Sequence, residues 1–386
     1  MNMNKASNQW ASRPDDERFE SLAAMRAELR DRRERASALP LSMTHLSFSP
    51  VGESGLQVLA PTGEDAALTA WSFGQVCTKL EAPAKYLASL PATKAADLLN
   101  FEAYRHRRTV HDDDREALML LDRKPEGLEL RALTSQRYSR VWDEELLGRC
   151  EEMQARGWRV PPARPASMGQ AGSRQATEAD VLAPSDFGLS VKVGEWIAPA
   201  GLYAGDRDMF VFMVNEANKI DAGGGDLLSR GFFLENSEVG ARSFTLTAFL
   251  YRHVCGNHIV WDARQVKELR LRHVGSCDER AFSEMRLSLI EYADRAASED
   301  EARILRAKHF ELAAKKEDVI DLIFGLGLLG KRATEEAYAC AEITGDNPRS
   351  AWGLAQGITR LSQDRPFGDS RVTMDRAAGK VLALAS

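Results

Sequence analysis

"SFTLTAFLYRHVCGNHIVWDARQVKELRLRHVGSC", residues Ser243–Cys277, is the stretch on which the reading of this chain turns. Its first part alternates. Phe244, Leu246, Ala248 and Leu250 fall on one side of an extended chain, and Thr245, Thr247, Phe249, Tyr251 and His253 on the other. The first side is core. In a sheet backed by helices on one side only, the second is expected to be an open working surface. A further strand is expected over Val266–His273, where Leu269 and Leu271 alternate with Arg270 and Arg272. The same window holds Cys255, His258, His273 and Cys277, so it also has to be weighed as a metal site.

Strands are expected on the N-terminal side of this window at Phe187–Val193, Met209–Val214 and Gly231–Glu235, giving a β-rich core over residues 186–277. Before it, residues 161–185 are rich in Pro, Gly, Ala and Ser and read as a linker or mobile loop. Residues 1–14 are polar and expected to be disordered. Residues 15–160 read as an N-terminal α+β part. A helix begins near Asp15 with Phe19, Leu22, Met25 and Leu29 on one stripe. Short strands follow at Thr44–Phe48 and Leu56–Leu59, then a helical stretch from Asp65 to His106 broken by Pro91. Pro125-Glu126-Gly127 joins two strands, and Asp143–Met153 suits a helix packing through Leu146, Leu147 and Cys150. Residues 278–386 carry helical spacing, with Asn347 and Pro348 as a cap and first-turn proline. The fold class is α+β: a central, mainly antiparallel sheet flanked by an N-terminal and a C-terminal helical region.

The chain has 386 residues and a formal charge of −6, which gives no overall attraction to polyanions; nucleic-acid binding would need a local basic patch. Five cysteines, an odd count in a chain of this length, suit a reducing compartment. No apolar run approaches the roughly 18 residues of a membrane span, and the start lacks the apolar core of a secretory signal. A cytoplasmic protein with no membrane partner is expected.

Cys255-x-x-His258 and His273-x-x-x-Cys277 offer four ligands of the kind tetrahedral zinc takes, but His273 shares a strand with Leu269 and Leu271, and Cys255 follows an apolar strand. The acidic run His111–Asp114 offers hard oxygens for a divalent cation, although adjacent carboxylates seldom converge on one ion. Gly325, Gly327 and Gly330 satisfy the spacing G-x-G-x-x-G without a surrounding β-α-β pattern, and a short helix ending in glycine fits equally well. Ala222–Asp226 is glycine-rich but lacks the Lys-Ser/Thr of a phosphate loop. No nucleophile signature is present, so no catalytic residue and no cofactor is assigned, which argues against an enzyme. The broader pattern is basic and aromatic: Arg137, Tyr138, Arg140, Lys192, Tyr251, Arg252, Arg270 and Arg272 lie in or beside expected strands. Single-stranded nucleic acid needs cations along its backbone and aromatic faces under its bases, so these residues are expected to contact single-stranded DNA.

Four stretches occur in the order "RALTSQRYSRVWDEELL", "NSEVGARSFTLTAFLYRHVCGN", "RHVGS" and "SAWGLAQGITRL". Together they resemble a phage- and plasmid-associated family of bacterial proteins known as a domain of unknown function, over roughly Ala66 to Ala383. Arg252, Val254, Cys255 and Asn257, and the helix with Trp352, carry its more specific parts. The histidine at 258 is not part of that pattern, which weighs against zinc. Gln356 and Arg360 depart from its usual late helix. The resemblance implies a gene carried on mobile elements and brings no catalytic residues. It makes a single-stranded DNA accessory factor of replication, transfer or recombination the leading expectation, compatible with a homo-oligomer. A metal-dependent enzyme built on the Cys/His window or the acidic run, and an interaction factor against host defence, are the alternatives.

Overall fold

The structure, a computed structural model, describes residues 19, 21–109, 116–160, 164–165, 174–178, 192–198, 202–223, 227–252, 257–259, 269–363 and 368–385. Helix α1 (Leu22–Arg35) starts where Ser21 accepts the Ala24 N–H, and buries Leu22, Met25 and Leu29, the stripe its spacing predicts. The chain then builds a six-stranded sheet from β1 (Ala36–Ser42), β2 (Phe48–Val51), β3 (Gly55–Leu59), β4 (Asp65–Leu68), β5 (Glu116–Lys124) and β6 (Gly127–Ser135), in the order β1-β5-β6-β4-β3-β2. Its pairings are antiparallel except β4 with β6, which run parallel. Helices α2 (Ala70–Lys79), α3 (Ala84–Leu87) and α4 (Ala92–Thr109) supply Phe73, Val76, Leu87 and Leu99 to a core shared with Met119, Leu121, Leu130 and Leu133. These helices fill most of the helical stretch expected over 65–106, with the break at Pro91, and only its start differs. Asp65–Leu68 is a strand, and helix begins only after Thr69 caps α2 through a reciprocal bond with Ser72.

Helix α5 (Asp143–Gln154) and strand β7 (Trp158–Arg159) lead to a small sheet of β8 (Arg164–Pro165), β9 (Arg174–Gln175) and β10 (Trp196–Ala198). The second large sheet comprises β11 (Leu202–Ala204), β12 (Met209–Asp221), β13 (Leu227–Asn236), β14 (Phe244–Arg252) and β15 (Asn257–Ile259) in that order. β16 (Leu269–Leu271) also pairs with β14, and β7 with β12. The architecture is therefore α+β, as expected, with its mainly antiparallel strands gathered in two large sheets and helices in both the N- and C-terminal regions.

One face of the second sheet carries Val211, Met213, Phe232, Leu234, Phe244 and Leu246 against α1, α5 and helix α6 (Cys277–Asp294). The other face, expected to be an open working surface, is closed. Phe210, Phe212, Phe233 and Phe249 form one cluster with ring centroids 4.5–6.4 Å apart, and Thr245, Thr247 and Phe249 are all buried. The alternation is as read from the sequence. However, a face holding four phenylalanines is too apolar to be left in water, and threonine adds a methyl group as well as its hydroxyl. Gly231 lies opposite Phe249 in the β13–β14 register. A Cβ there would fall 2.2 Å from the Phe249 ring, so the glycine is what lets that ring lie across its neighbour.

The C-terminal region is helical as expected: α7 (Ala297–His309), α8 (Lys316–Gly325), α9 (Lys331–Ile343), α10 (Ala351–Gln363) and α11 (Gly368–Ala383). Its core takes Ile220, Leu228 and Leu250 from the second sheet, joining the bundle to it. The glycines of the G-x-G-x-x-G spacing lie in a helix–turn–helix. Gly325 ends α8, Gly327 has φ +65° and Gly330 precedes α9, so no dinucleotide-binding unit is formed. The cap of α10 is Ser350, whose Oγ accepts the Gly353 N–H; Asn347 instead shapes the turn before it, its carbonyl accepting the Ser350 N–H. Ala351–Thr359 are all buried. This helix can run through the interior because Gly353 and Gly357 present no side chain where its neighbours' backbones approach: added Cβ atoms would sit 1.9 Å from the Asn347 oxygen and 2.0 Å from the Ala337 oxygen. No helix among the described residues is long and apolar enough to cross a membrane.

Two alanine substitutions separate the conformational cost of helical glycine from its packing role. Gly74, within α2, has open space around it: a Cβ added there would meet nothing within 4 Å. Gly74→Ala is expected to raise unfolding stability by about 0.5–1 kcal/mol. Gly357→Ala, facing rigid backbone, is expected to lower it by about 1–3 kcal/mol. Urea unfolding of the two variants beside the parent checks both signs.

Candidate functional site

The turn between β13 and β14 joins the two large sheets. It belongs to the "NSEVGARSF" stretch, and each of Asn236, Ser237, Glu238 and Val239 is hydrogen-bonded, although Asn236 Oδ1 is buried without a partner among the described residues. From the first sheet's side, Trp71 Nε1 and Gln75 Nε2 both donate to the Val239 carbonyl, at 2.9 and 2.8 Å, while Gln75 Oε1 accepts the Leu133 N–H of β6. Arg131 of β6 reaches the Glu238 carboxylate at 2.9 Å, with both side chains buried. The second Glu238 oxygen accepts the Asp143 N–H at 3.1 Å, at the start of α5. Asn236 Nδ2 donates to Asp143 Oδ1 and to the Val141 carbonyl. Gly240 (φ +80°) turns the chain back beside Gln75, Thr134 and the Tyr138 ring.

The segment after β6 closes the same assembly. Tyr138 Oη donates to the Ser237 carbonyl at 2.7 Å and Arg140 Nε to the Glu238 carbonyl at 2.8 Å. Tyr138 forms an isolated antiparallel bridge with Val274, and the Ser139 N–H donates to the His273 carbonyl. The His273 ring stacks on Tyr138 with centroids 4.9 Å apart, its Nδ1 is 3.1 Å from the Ser139 carbonyl, and its buried Nε2 has no hydrogen-bond partner. Burial, chiefly, pushes His273 below the ordinary imidazole range and keeps it neutral at pH 7. Burial likewise raises the Tyr138 phenol and lowers Arg140. Asp143 is raised well above the ordinary carboxylate range, first by burial and then by the adjacent Glu238 carboxylate. Three of the stretches carrying the family resemblance ("RALTSQRYSRVWDEELL", "NSEVGARSF" and "RHVGS") thus meet in one place.

Above this floor lies an open cleft of about 750 Å³ lined by Gln136, Arg137, Tyr138, Ser139, Val274, Gly275 and Asp278. Arg137 is exposed at the cleft, and Arg270 and Arg272 are exposed on the outward side of the strand leading to Val274. None of the three makes an ion pair or side-chain hydrogen bond among the described residues. Arg123, Arg149, Arg280 and Arg332, which are also exposed, are each paired to a glutamate.

The remaining expected contacts divide. Tyr138 and Arg140 point into the fold, where they serve the turn. Lys192 is exposed but lies in a tight turn rather than a strand, since the Glu195 N–H donates to its carbonyl and its own N–H to Glu195 Oε2. Tyr251 and Arg252 close β14, paired by backbone with His258 and Asn257 of β15; these four side chains, together with Cys255 and the His111–Asp114 run, lie outside the described residues. Trp352 is buried in the C-terminal core. Cys277 opens α6 with its thiol raised mainly by burial, and Cys77 and Cys150 are pushed up by burial to about 11 and about 12, as inert core thiols are. Among the described residues no three His, Cys, Asp or Glu side chains are grouped to hold a metal. Arg131, Asp143, Asn236 and Glu238 were not singled out from the sequence. For Asn236 and Glu238 the only signal was the polar "ENSE" directly after the apolar "GFFL".

The chain is thus an α+β protein with two sheets joined by a buried polar turn. Residues 187–323, which include most of the second sheet together with α6 and α7, match a family model described as "Domain of unknown function (DUF932)". The match is shorter than the resemblance over Ala66–Ala383; it contains Arg252, Cys255 and Asn257 and leaves out Trp352. No curated protein and no solved structure matches the chain.

The raised Asp143 makes stability depend on pH with a definite sign. Its folded value lies above the ordinary 3.8, so its contribution is complete at low pH and is lost as pH rises through the elevated value. Asp143→Asn keeps an oxygen for Asn236 and has no proton to lose. Denaturation across pH 5–9 is expected to show the parent losing stability toward the alkaline end and the variant losing less, narrowing or reversing any deficit it has at pH 5.

Proposed function

We propose that this protein binds single-stranded DNA through a cationic strip formed by Arg137, Arg270 and Arg272 beside the open cleft. It would act as a non-enzymatic accessory factor in the replication, transfer or recombination of a bacterial mobile element. The observation that carries the reading is that three exposed guanidinium groups without partners among the described residues lie together, on the strand leading to Val274 and at the rim of the cleft. Unpaired arginines at a rim are suited to phosphodiester oxygens, because binding them breaks no internal ion pair and releases counterions. The formal charge of −6 makes such binding local to the strip. Tyr138 is not assigned to base stacking in this reading, since its ring is covered by His273 and its hydroxyl is committed to Ser237. The mobile-element setting rests on the resemblance of the motifs, three of which build the floor of the cleft. Cytoplasmic location and self-association belong to the same proposal.

Anisotropy of a labelled oligothymidylate and of a matched duplex over 50–300 mM salt tests it. Tighter, salt-sensitive binding of the single strand is expected. Arg270→Ala with Arg272→Ala should weaken it at least about tenfold and lower the log–log salt slope by roughly 1–1.5, at about 0.7 per phosphate contact. A flat titration of the parent at the lowest salt removes the reading.

A further inference from the structure

Phosphate contacts alone do not prefer a single strand, because a duplex carries the same groups at higher density. A preference needs something that only an unpaired strand offers, which is the edge and face of a free base. The cleft beside the arginine strip is lined by two short segments, Gln136–Ser139 and Val274–Asp278. They are joined by the Tyr138–Val274 bridge and by the Ser139 N–H donating to the His273 carbonyl. Exposure alternates along the chain entering it: Leu269, Leu271 and His273 are buried, whereas Arg270, Arg272 and Val274 face solvent. The outward row thus changes from two guanidinium groups to an apolar side chain, 56% exposed, as it reaches the cleft.

Two groups of opposite charge line this cleft, one from each segment: Arg137, and Asp278 in the first turn of α6. Neither makes an ion pair or a side-chain hydrogen bond among the described residues. Guanine is the base that such a pair fits. Its O6 and N7 are adjacent acceptors for an arginine fork, and its N1–H and N2–H groups are adjacent donors for the two oxygens of a carboxylate. Adenine places a donor where guanine has O6, and cytosine and thymine set acceptors beside their donors, so a carboxylate is repelled. In a duplex the N1–H and N2–H edge is taken by cytosine, and only an unpaired guanine can use both groups. We propose that the cleft is a guanine-selective seat for one unstacked base. In it Asp278 accepts from N1–H and N2–H, Arg137 donates to O6 and N7, and Val274 packs against the face of the base. The inference rests on the single-strand reading for the source of the base; it assigns Arg137 to that base and leaves the backbone to Arg270 and Arg272.

The test has two arms on the full chain. Saturation-transfer NMR with the four deoxynucleosides reads the seat without any phosphate. Anisotropy of labelled oligothymidylate, with and without one central guanine, reads it within a strand. Deoxyguanosine is expected to give the strongest transfer, and the single guanine to tighten strand binding about tenfold. Asp278→Asn should abolish both differences. A carboxylate in the first turn also favours α6 through the helix dipole, but a purely structural role would weaken the two oligonucleotides alike and leave their ratio unchanged. If Asp278→Asn does not fold, Arg137→Ala, exposed and outside α6, should likewise cut the gain from guanine. Nucleoside signals that are equal or absent, or two oligonucleotides bound with equal affinity, would overturn the seat and leave the single-strand reading standing. Selective binding of deoxyguanosine with neither oligonucleotide bound at low salt would remove the single-strand reading and keep the seat.

Discussion

Glu238 is the group on which the arrangement of the two sheets depends. Its carboxylate is buried between a guanidinium from the first sheet and the first backbone N–H of α5, and its carbonyl takes a second guanidinium. Burying an ion pair gains little by itself, because desolvation removes several kcal/mol per ion, but leaving either partner alone costs about 3–5 kcal/mol. The turn is therefore held in one register: displaced from it, Arg131 and Glu238 would both be charged and dry. Burial and the adjacent Glu238 carboxylate both favour the protonated form of Asp143, which raises it well above the ordinary carboxylate range.

The middle of the second sheet contrasts with its ends. From Phe232 to Leu234, β13 is apolar on both faces, with the buried polar and charged residues of the strand placed to either side of that stretch. A sheet dry on both faces cannot present a binding surface through its flat side. That moves attention to the strand leading from β16 into α6, whose outward residues remain in solvent.

The legible parts of this fold were those set by local period. The alternation of β14, the α1 stripe, the turn at Pro125–Gly127 and the C-terminal helices all follow from spacing that survives tertiary packing. The illegible parts were decided at a distance. Strands β2 and β4 are four residues long, β2 contains Pro50, and Asp65–Leu68 is alanine-rich, so only pairing with β3, which was expected at Leu56–Leu59, and with β6 makes them part of a sheet. Whether the second face of β14 meets water depends on what packs over it, which alternation does not encode. The candidate site shows the same division. Exposed Arg137, Arg270 and Arg272 were identifiable by residue type, whereas Asp143 and Glu238 look like ordinary surface carboxylates until Arg131, over a hundred positions before Glu238, is brought against them.

The same sequence separation has a consequence for biosynthesis. The first sheet has all its strands once Ser135 has left the ribosome, but the carboxylate that neutralises Arg131 is encoded 107 residues after that arginine. At roughly 5–20 residues per second, the nascent sheet waits about 5–20 s with a guanidinium that the finished molecule neutralises. Interruption of translation between these points leaves a fragment whose strands can pair but whose charge has no counterpart. Such a truncated chain carries an uncompensated charge that the complete one does not.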